Sequence, residues 1–456
     1  MLGRISYRKS KGGKISYLKI AGHASIAILV CVLVILLFPD IFTNKFLKFR
    51  ITQAFEEAYP TYSIRIAGVH YKIWENRLEC DSVKIMKTDS TLSCSVTKLS
   101  VSGIGRMQVL WGGSVASDKL ASSHAEAQDI VLTFIQSQYE LRCARLQVSV
   151  PDSVLAIEIL EFHPPVDDEQ YFAGSKFRRT RYNLVIPQCR VAGLDCLGLL
   201  QRKNYRARAA QIYDASLSVL VNKDKPFNGD SSSPRMPNVI LSLIKESMQI
   251  DSIGLKNGRL MYNERFGVGL EPAVLTCDSM QVMVEGIGNT AARGDTAVIQ
   301  AQGILMDTGA MSVRISMPVA SPELSFRYSG FLSGMNLSKF NPFIEISENK
   351  RFKTGILHTA AFHIDVTAGR ASGSVRAVYE DLKIVAIENL TGSESGVVNT
   401  FVSFFANNMK LRTTNMPDKL GSMKIGEVKY ERKRKETFFE FAWFALRSGI
   451  SDVVGL

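Results

Sequence analysis

Apolar and polar residues alternate along most of this chain. In Tyr62-Ser-Ile-Arg-Ile66 every second side chain after Tyr62 is apolar, and Val69, Tyr71 and Ile73 resume the alternation after a slip at Gly68. Leu92, Cys94 and Val96 alternate with Ser93, Ser95 and Thr97. The same period returns over 129–134, 139–150, 182–191 and 205–221, then over 248–263, 297–317, 324–332, 356–367 and 373–388. Successive strand side chains point to opposite faces, so a period of two predicts strands with one apolar and one polar face. Many such segments in series predict an extended, mainly antiparallel β architecture.

Helical periods are few. In 44–58, Phe46, Leu47, Ile51, Ala54, Phe55 and Ala58 gather on one side, ahead of Pro60. Further helical segments are expected at 237–247, as a short turn near 336–345, at 396–408 and at 436–447. Residues 223–237, KDKPFNGDSSSPRMP, form a Pro/Ser/Gly-rich loop joining two halves. The second half opens with Asn257-Gly258 flanked by Ile253, Leu255, Leu260 and Tyr262, which reads as a tight hairpin turn.

The N-terminus changes the picture. Residues 1–19 carry Arg4, Arg8, Lys9, Lys11, Lys14 and Lys19 and no acid. Ile20–Phe38 is then a run of 19 residues, apolar but for small residues and His23, about 28 Å long as a helix and thus close to the thickness of a bilayer core. Pro39-Asp-Ile-Phe-Thr43 lacks the small residues of a cleavage site, so the run reads as an uncleaved anchor. The basic leader places the N-terminus in the cytoplasm and the remainder outside. With Arg432-Lys-Arg-Lys435, these ten cations account for most of the net charge of +12. A nucleic-acid groove needs phosphate partners clustered along the body, so no nucleic-acid partner is expected.

Of seven cysteines, Cys31 falls in the anchor; Cys80, Cys94, Cys143, Cys189, Cys196 and Cys277 lie beyond it and make no Cys-x-x-Cys pair. They read as free thiols, with Cys189 and Cys196 close enough in sequence to test as a disulfide. No metal is expected. His358 and His363, five apart in a strand-like segment, should point to opposite faces.

Two motifs suggest enzymes. Gly303-Ile-Leu-Met-Asp-Thr-Gly-Ala-Met311 spells the active-site turn of an aspartic protease, yet such enzymes pair two carboxylates and the chain carries no second Asp-Thr/Ser-Gly. A hairpin turned at Thr308-Gly309 between 297–305 and 311–317 accounts for it. Gly286-Ile-Gly-Asn-Thr-Ala291 precedes another alternating strand rather than a helix, so it reads as a turn and not as a dinucleotide site. Neither catalysis nor a cofactor is expected.

The order of these parts resembles the AsmA-like proteins of Gram-negative envelopes. The resemblance is carried by PTYSIRIAGVHYKIWENRLECDSVKIMK (60–87), VNKDKP (221–226), MQIDSIGLKNGRLMYNE (248–264), GMNLSKFNPF (334–343), TGILHTAAFHIDVTAGRASGSVRAVYEDLKI (354–384) and ERKRKETFFEFAWFALRSGISDVVG (431–455). It implies a bacterial inner-membrane protein with its body in the periplasm. That body would be a long, curved β groove, apolar inside, that shelters phospholipid acyl chains and supports lipid supply to the outer membrane.

The expected layout is a cytoplasmic leader (1–19), an anchor (20–38), a first β section (39–222), a linker (223–237), a second β section (238–430) and a basic, aromatic C-terminal segment (431–456). About 20–25 strands at roughly 4.8 Å would give a groove of about 100–120 Å. Ile64, Ile66, Phe362, Ile364 and Val366 should line it, with Ser63, Arg65, His363, Asp365 and Thr367 facing water. In the C-terminal segment a helix ending at Gly449 would align Phe439, Trp443 and Leu446, broadened by Phe438 and Phe441. It could plug the groove, lie at a membrane interface or hold an envelope partner. The competing readings are a non-transporting envelope scaffold with a closed β core and a membrane-tethered protease using Asp307.

Overall fold

The computed structural model describes residues 39–455 except 73, 105–119, 202–203, 230–232, 290–295, 320, 322 and 388–410. The anchor run, the leader and the expected helix at 396–408 lie outside the described residues. Among the described residues no helix is long and apolar enough to cross a membrane.

The alternating segments form one sheet of 18 strands. In chain order these are β1 (Tyr62–Lys72), β2 (Arg77–Lys87), β3 (Leu92–Ser102), β4 (His124–Phe134), β5 (Tyr139–Ser149), β6 (Val154–His163), β7 (Thr180–Ala192), β8 (Asn204–Tyr213) and β9 (Ser216–Asn222). They continue as β10 (Ser247–Arg265), β11 (Ala273–Gly288), β12 (Thr296–Leu305), β13 (Gly309–Pro318), β14 (Phe326–Leu332), β15 (Met335–Asn336), β16 (Lys350–Thr367), β17 (Arg370–Ala386) and β18 (Gly426–Glu431). Each strand pairs with its predecessor in sequence as a meander. The exceptions are β8 and β9, which lie end to end beside β7, and β14 and β15, which share β16. Eighteen strands therefore fill sixteen positions, about 70 Å of sheet at the usual strand spacing. That is shorter than the 100–120 Å expected, because the strands reach 19 residues in β10 rather than being more numerous.

The sheet is mixed, not wholly antiparallel. β10 runs parallel to both β8 and β9, and residues 223–246 carry the chain back between the two ends of these strands. Arg265 fixes the start of this crossover. Its guanidinium, 8 % exposed, meets Glu169 at 2.8 Å and Asp224 at 3.4 Å and lies 4.9 Å over the Phe172 ring. The hairpin expected at Asn257-Gly258 does not form. β10 runs straight through it with register shifts beside Gly258, and Asn257 takes φ +57.

That irregularity belongs to a larger feature. Between Ile66/Val83 and Gly68/Asp81 one residue on each strand drops out of the ladder. The break lines up across the neighbouring strands at Ser82, Thr97, Asp129, Ala144, Ile159 and Pro187, and reaches Asp214. Ser82, Asp129, Ile159 and Asp214 have φ between +48 and +56. Short polar side chains tolerate this left-handed region; a β-branched isoleucine does not. Pro187 has no N–H to give a ladder, which suits it to such a break. Opposed residues leave the ladder together with no change of register, and the left-handed ones turn their strands locally, so a row of them creases the sheet along one line. Across the crease the apolar face jumps by three residues, from Ile66 to Val69 and from Cys143 to Leu146.

Helices close the two edges. α1 (Pro39–Ala58) runs along the free edge of β1, where Lys48 Nζ donates to the Ala67 carbonyl at 3.3 Å, and packs Leu47, Ile51 and Phe55 against Ile64, Ile66, Val69 and Val83. Two short helices, α2 (Asp168–Ala173) and α3 (Cys196–Leu200), sit at opposite rims. α4 (Pro237–Ser242) lies in the crossover, where Asn238 donates to the Ser321 carbonyl at 3.2 Å. α5 (Asn341–Glu348) packs on β11 and β16.

α6 (Phe438–Val454) opens with a Thr437/Glu440 capping box and does not stop at Gly449. Phe441, Ala445, Gly449 and Val453 form one stripe, each about one turn from the next, buried against β17 and β18. The free edge of β17 is held by Asn415, which donates to the carbonyls of Ala377 at 2.7 Å and Lys424 at 3.0 Å.

Candidate functional site

Strand register assembles the alternating residues into rows that cross the whole sheet. One row reads Val69, Cys80, Leu99, Ala127, Leu146, Ile157, Cys189, Ile212. It continues through the parallel step as Leu255, Val282, Ala301, Val313, Gly330, Phe362, Val375, Gly426. No polar side chain interrupts it over sixteen positions. The neighbouring row points the other way: His70, Glu79, Ser100, Glu126, Gln147, Ala156, Arg190, Gln211, and so to His363, Ser374 and Glu427. One continuous apolar face and one polar face result.

The apolar face is covered unevenly. At the β1 end α1 covers it, and at the β16–β18 end α6 does. Over β3–β7 no helix of the described chain packs across it; Tyr171 and Phe172 of α2 meet Tyr139 and Phe162 at one rim only. Leu99, Leu146, Ile157, Leu160 and Ile186 stay half-buried there. Five strands at about 4.8 Å and about 35 Å of strand length give this stretch of the face an extent on the order of 800 Å².

The sheet brings distant strands near this surface. Burial raises the phenol of Tyr182 in β7, with Tyr171 and then Glu440 of α6 as smaller causes, and burial followed by the Glu264 carboxylate raises that of Tyr262 in β10. Arg434 Nε also reaches Ser233 Oγ of the crossover at 3.2 Å. That contact brings the chain just ahead of α6 beside the crossover.

The expected lining residues all face the apolar side, but at its covered ends. Ile64 and Ile66 are buried under α1; Ile364 and Val366 are buried, and Phe362 partly so, in the cluster that includes α6. Ser63, Arg65, His363 and Thr367 are exposed as expected, and Asp365 is half-exposed beside Arg327. On α6 the buried stripe differs from the expected one. Phe438 lies tilted against Phe326, ring centres 4.9 Å apart, and Leu446 is partly buried, whereas Phe439 is 78 % and Trp443 53 % exposed.

Five cysteines, missed as a group in the sequence, lie on the apolar face: Cys80, Cys94, Cys143, Cys189 and Cys277. All six described cysteines are free, Cys189 and Cys196 included. Burial raises their thiols, Cys80 to about 11. His358 and His363 share the polar face instead of opposing one another, because the register slips between Leu357 and Thr359. Each sits by its own carboxylate, Glu380 at 3.1 Å and Asp365 at 3.3 Å. Asp307 is exposed at the tip of the β12–β13 hairpin with φ +65, and Met306 beside it has φ +47. The turn therefore falls at Met306-Asp307-Thr308, one to two residues before the expected Thr308-Gly309, because Gly309 already pairs with Leu305. Gly286 and Gly288 lie inside β11.

The polar face holds a trough of about 630 Å³ across β2–β8 that the sequence did not reveal. Arg77, Arg190 and Arg208 border it together with Glu126 and Asp152. Seven strands contribute to it, so no local motif marks it.

No protein-family model matches this chain, and no curated protein matches it.

Proposed function

We propose that this chain is an AsmA-like envelope protein, anchored in the bacterial inner membrane through 20–38, whose creased sheet forms a groove that shelters phospholipid acyl chains. The supporting observation is the apolar row that crosses sixteen strand positions and lies uncovered over β3–β7. Acyl chains are recognised by apolar area rather than by directed polar contacts, and the side chains on that stretch offer area and thiols but no charge. The crease turns the strands about a line through the middle of the face, which favours a trough over a flat surface. The reading involves no covalent chemistry.

A photo-crosslinking residue at Leu146, in cells, tests it directly against one at the adjacent Gln147. Phospholipid adducts are expected at 146 and absent at 147. They are also expected to be absent at Ile364, which α6 covers. An unmodified Leu146 position in a correctly exported protein would point to a closed core and to the scaffold reading. The exposed Phe439 and Trp443 favour a partner on the outer side of α6 in either case.

A further inference from the structure

Trp74, at the tip of the β1–β2 hairpin, is 94 % exposed. Nearby, α1 shows apolar side chains on two sides. Leu47 turns to the sheet at 4 % exposure, while Phe46 at 49 % and Phe49 at 66 % turn to solvent. The outer aromatics are set among cations: Lys45, Lys48 and Arg50 are exposed, and Arg50 lies 5.7 Å from the Phe46 ring. Of the acids of this helix, Glu56 and Glu57 sit in its last turn, and Asp40 alone lies in its first.

Hairpin tip and helix start are at the same level. Asn44 Nδ2 lies 3.3 Å from His70 Nδ1. Past that contact the helix continues about 7.5 Å to Pro39, and the strand continues up to about 13 Å to Trp74. Trp74 therefore projects at, or slightly beyond, the point where the chain enters α1 directly after the apolar run that ends at Phe38.

We propose that Trp74, Phe46 and Phe49, framed by Lys45, Lys48 and Arg50, form a foot that rests in the headgroup layer of an anionic membrane. Indole and phenyl rings with one wet and one apolar side concentrate at that depth. A basic, aromatic helix flank binds there by apolar burial together with attraction to anionic lipid. The proposal rests on the anchor of the preceding reading but not on lipid in the groove. It assigns a fixed posture: α1 and the β1 edge lie along the membrane surface, held at the anchor and at a second point on the hairpin.

The chain has three tryptophans, so Trp111→Phe with Trp443→Phe leaves Trp74 as the sole emitter. The full chain carrying both substitutions would be incorporated into phosphatidylethanolamine–phosphatidylglycerol vesicles with lipids brominated at shallow or deep acyl positions. Blue-shifted Trp74 emission is expected, quenched at least two-fold by shallow bromines and less by deep ones. Phe46→Glu with Phe49→Glu, both at exposed positions, should at least halve that quenching. Water-like, unquenched Trp74 in vesicle-bound protein would overturn the foot, as would shielding of Trp74 that appears only when envelope protein extract is added. Failure of the chain to join vesicles would overturn foot and anchor together. The Leu146 adduct, measured separately, would still decide the groove.

Discussion

Gly426 on β18 and Gly449 on α6 meet backbone to backbone: a methyl group added to Gly426 would collide with the Gly449 carbonyl oxygen. A methyl group on Gly449 would in turn come 2.5 Å from a Val375 methyl and 2.6 Å from one of Val428. The contact lets Phe441, Ala445 and Val453 reach the sheet with no exposed surface. Overpacking of this kind costs about 1–3 kcal/mol. Gly449→Ala should lower the unfolding free energy by about 2 kcal/mol and make the 431–456 segment the first site of limited proteolysis. An unchanged cleavage pattern would show that α6 docks without this contact.

Ile159 holds φ +50 on the crease and is 52 % exposed. It carries backbone strain without a buried side chain to offset it. Ile159→Asn or Ile159→Gly should therefore stabilise the fold by about 0.5–1 kcal/mol. Chemical denaturation reads this out, and a loss of stability in both variants would mean that the isoleucine side chain contributes packing that its exposure does not reveal.

Arg265→Leu should cost about 2 kcal/mol, judged by the same measurement. Glu169 is more than half exposed and loses little, whereas Asp224 is left mostly buried without its cation. Arg265→Lys is expected to recover only part of the loss, since a lysine cannot stack on Phe172 and bridge two carboxylates together.

The thiols of the apolar face make an alkaline prediction. Cys80 titrates at about 11 through burial, against an ordinary value of 9.0. Between those values the folded chain binds more protons than the unfolded chain, so stability should fall as pH rises from about 9 to 11. Below pH 9 this group makes no contribution to the slope. Iodoacetamide should alkylate Cys80 more slowly than a model thiol at pH 8.5, and the difference should vanish in denaturant.

A single charge in the uncovered stretch separates occupancy from folding. Ile157→Glu should leave the melting profile within about 1 kcal/mol of the parent and abolish lipid adducts at position 146. Ile364→Glu, at a site with no exposed surface, should instead unfold the β16–β18 end at a cost above about 4 kcal/mol. Similar behaviour of the two variants would show that the β3–β7 face is as dry as the ends.

Much of this fold was written in the alternation of residues. The strands at 62–72, 92–102 and 139–149 could be marked from period two alone, and the slip at Gly68 marked the crease on β1. That the slip is shared by Asp129, Ile159 and Pro187 follows only from register, which is set by pairing between segments and not within any of them. The same limit explains Asn257-Gly258: locally it is turn chemistry, but β8 and β11 on either side keep the strand going. It also explains the lining residues. The face of Ile64 and Ile364 was legible because parity is local; their cover was not, because it comes from Leu47 and Phe441 far away in the chain. On α6 the wrong stripe was favoured because Gly449 looked like a terminator, when its missing side chain is what admits the helix to the sheet.

The single parallel step between β8/β9 and β10 also decides the symmetry of the two ends. In a strict meander of sixteen positions, the first and last strands would run in opposite senses. One parallel step reverses the count, so β1 and β18 point toward the same rim. Each is accompanied by a helix running the opposite way, α1 leading into the first strand and α6 leading out of the last. Both ends of the sheet are thus finished by the same helix-against-strand arrangement in the same orientation, and the protein has a defined direction along its length and a common rim from which both terminal helices begin.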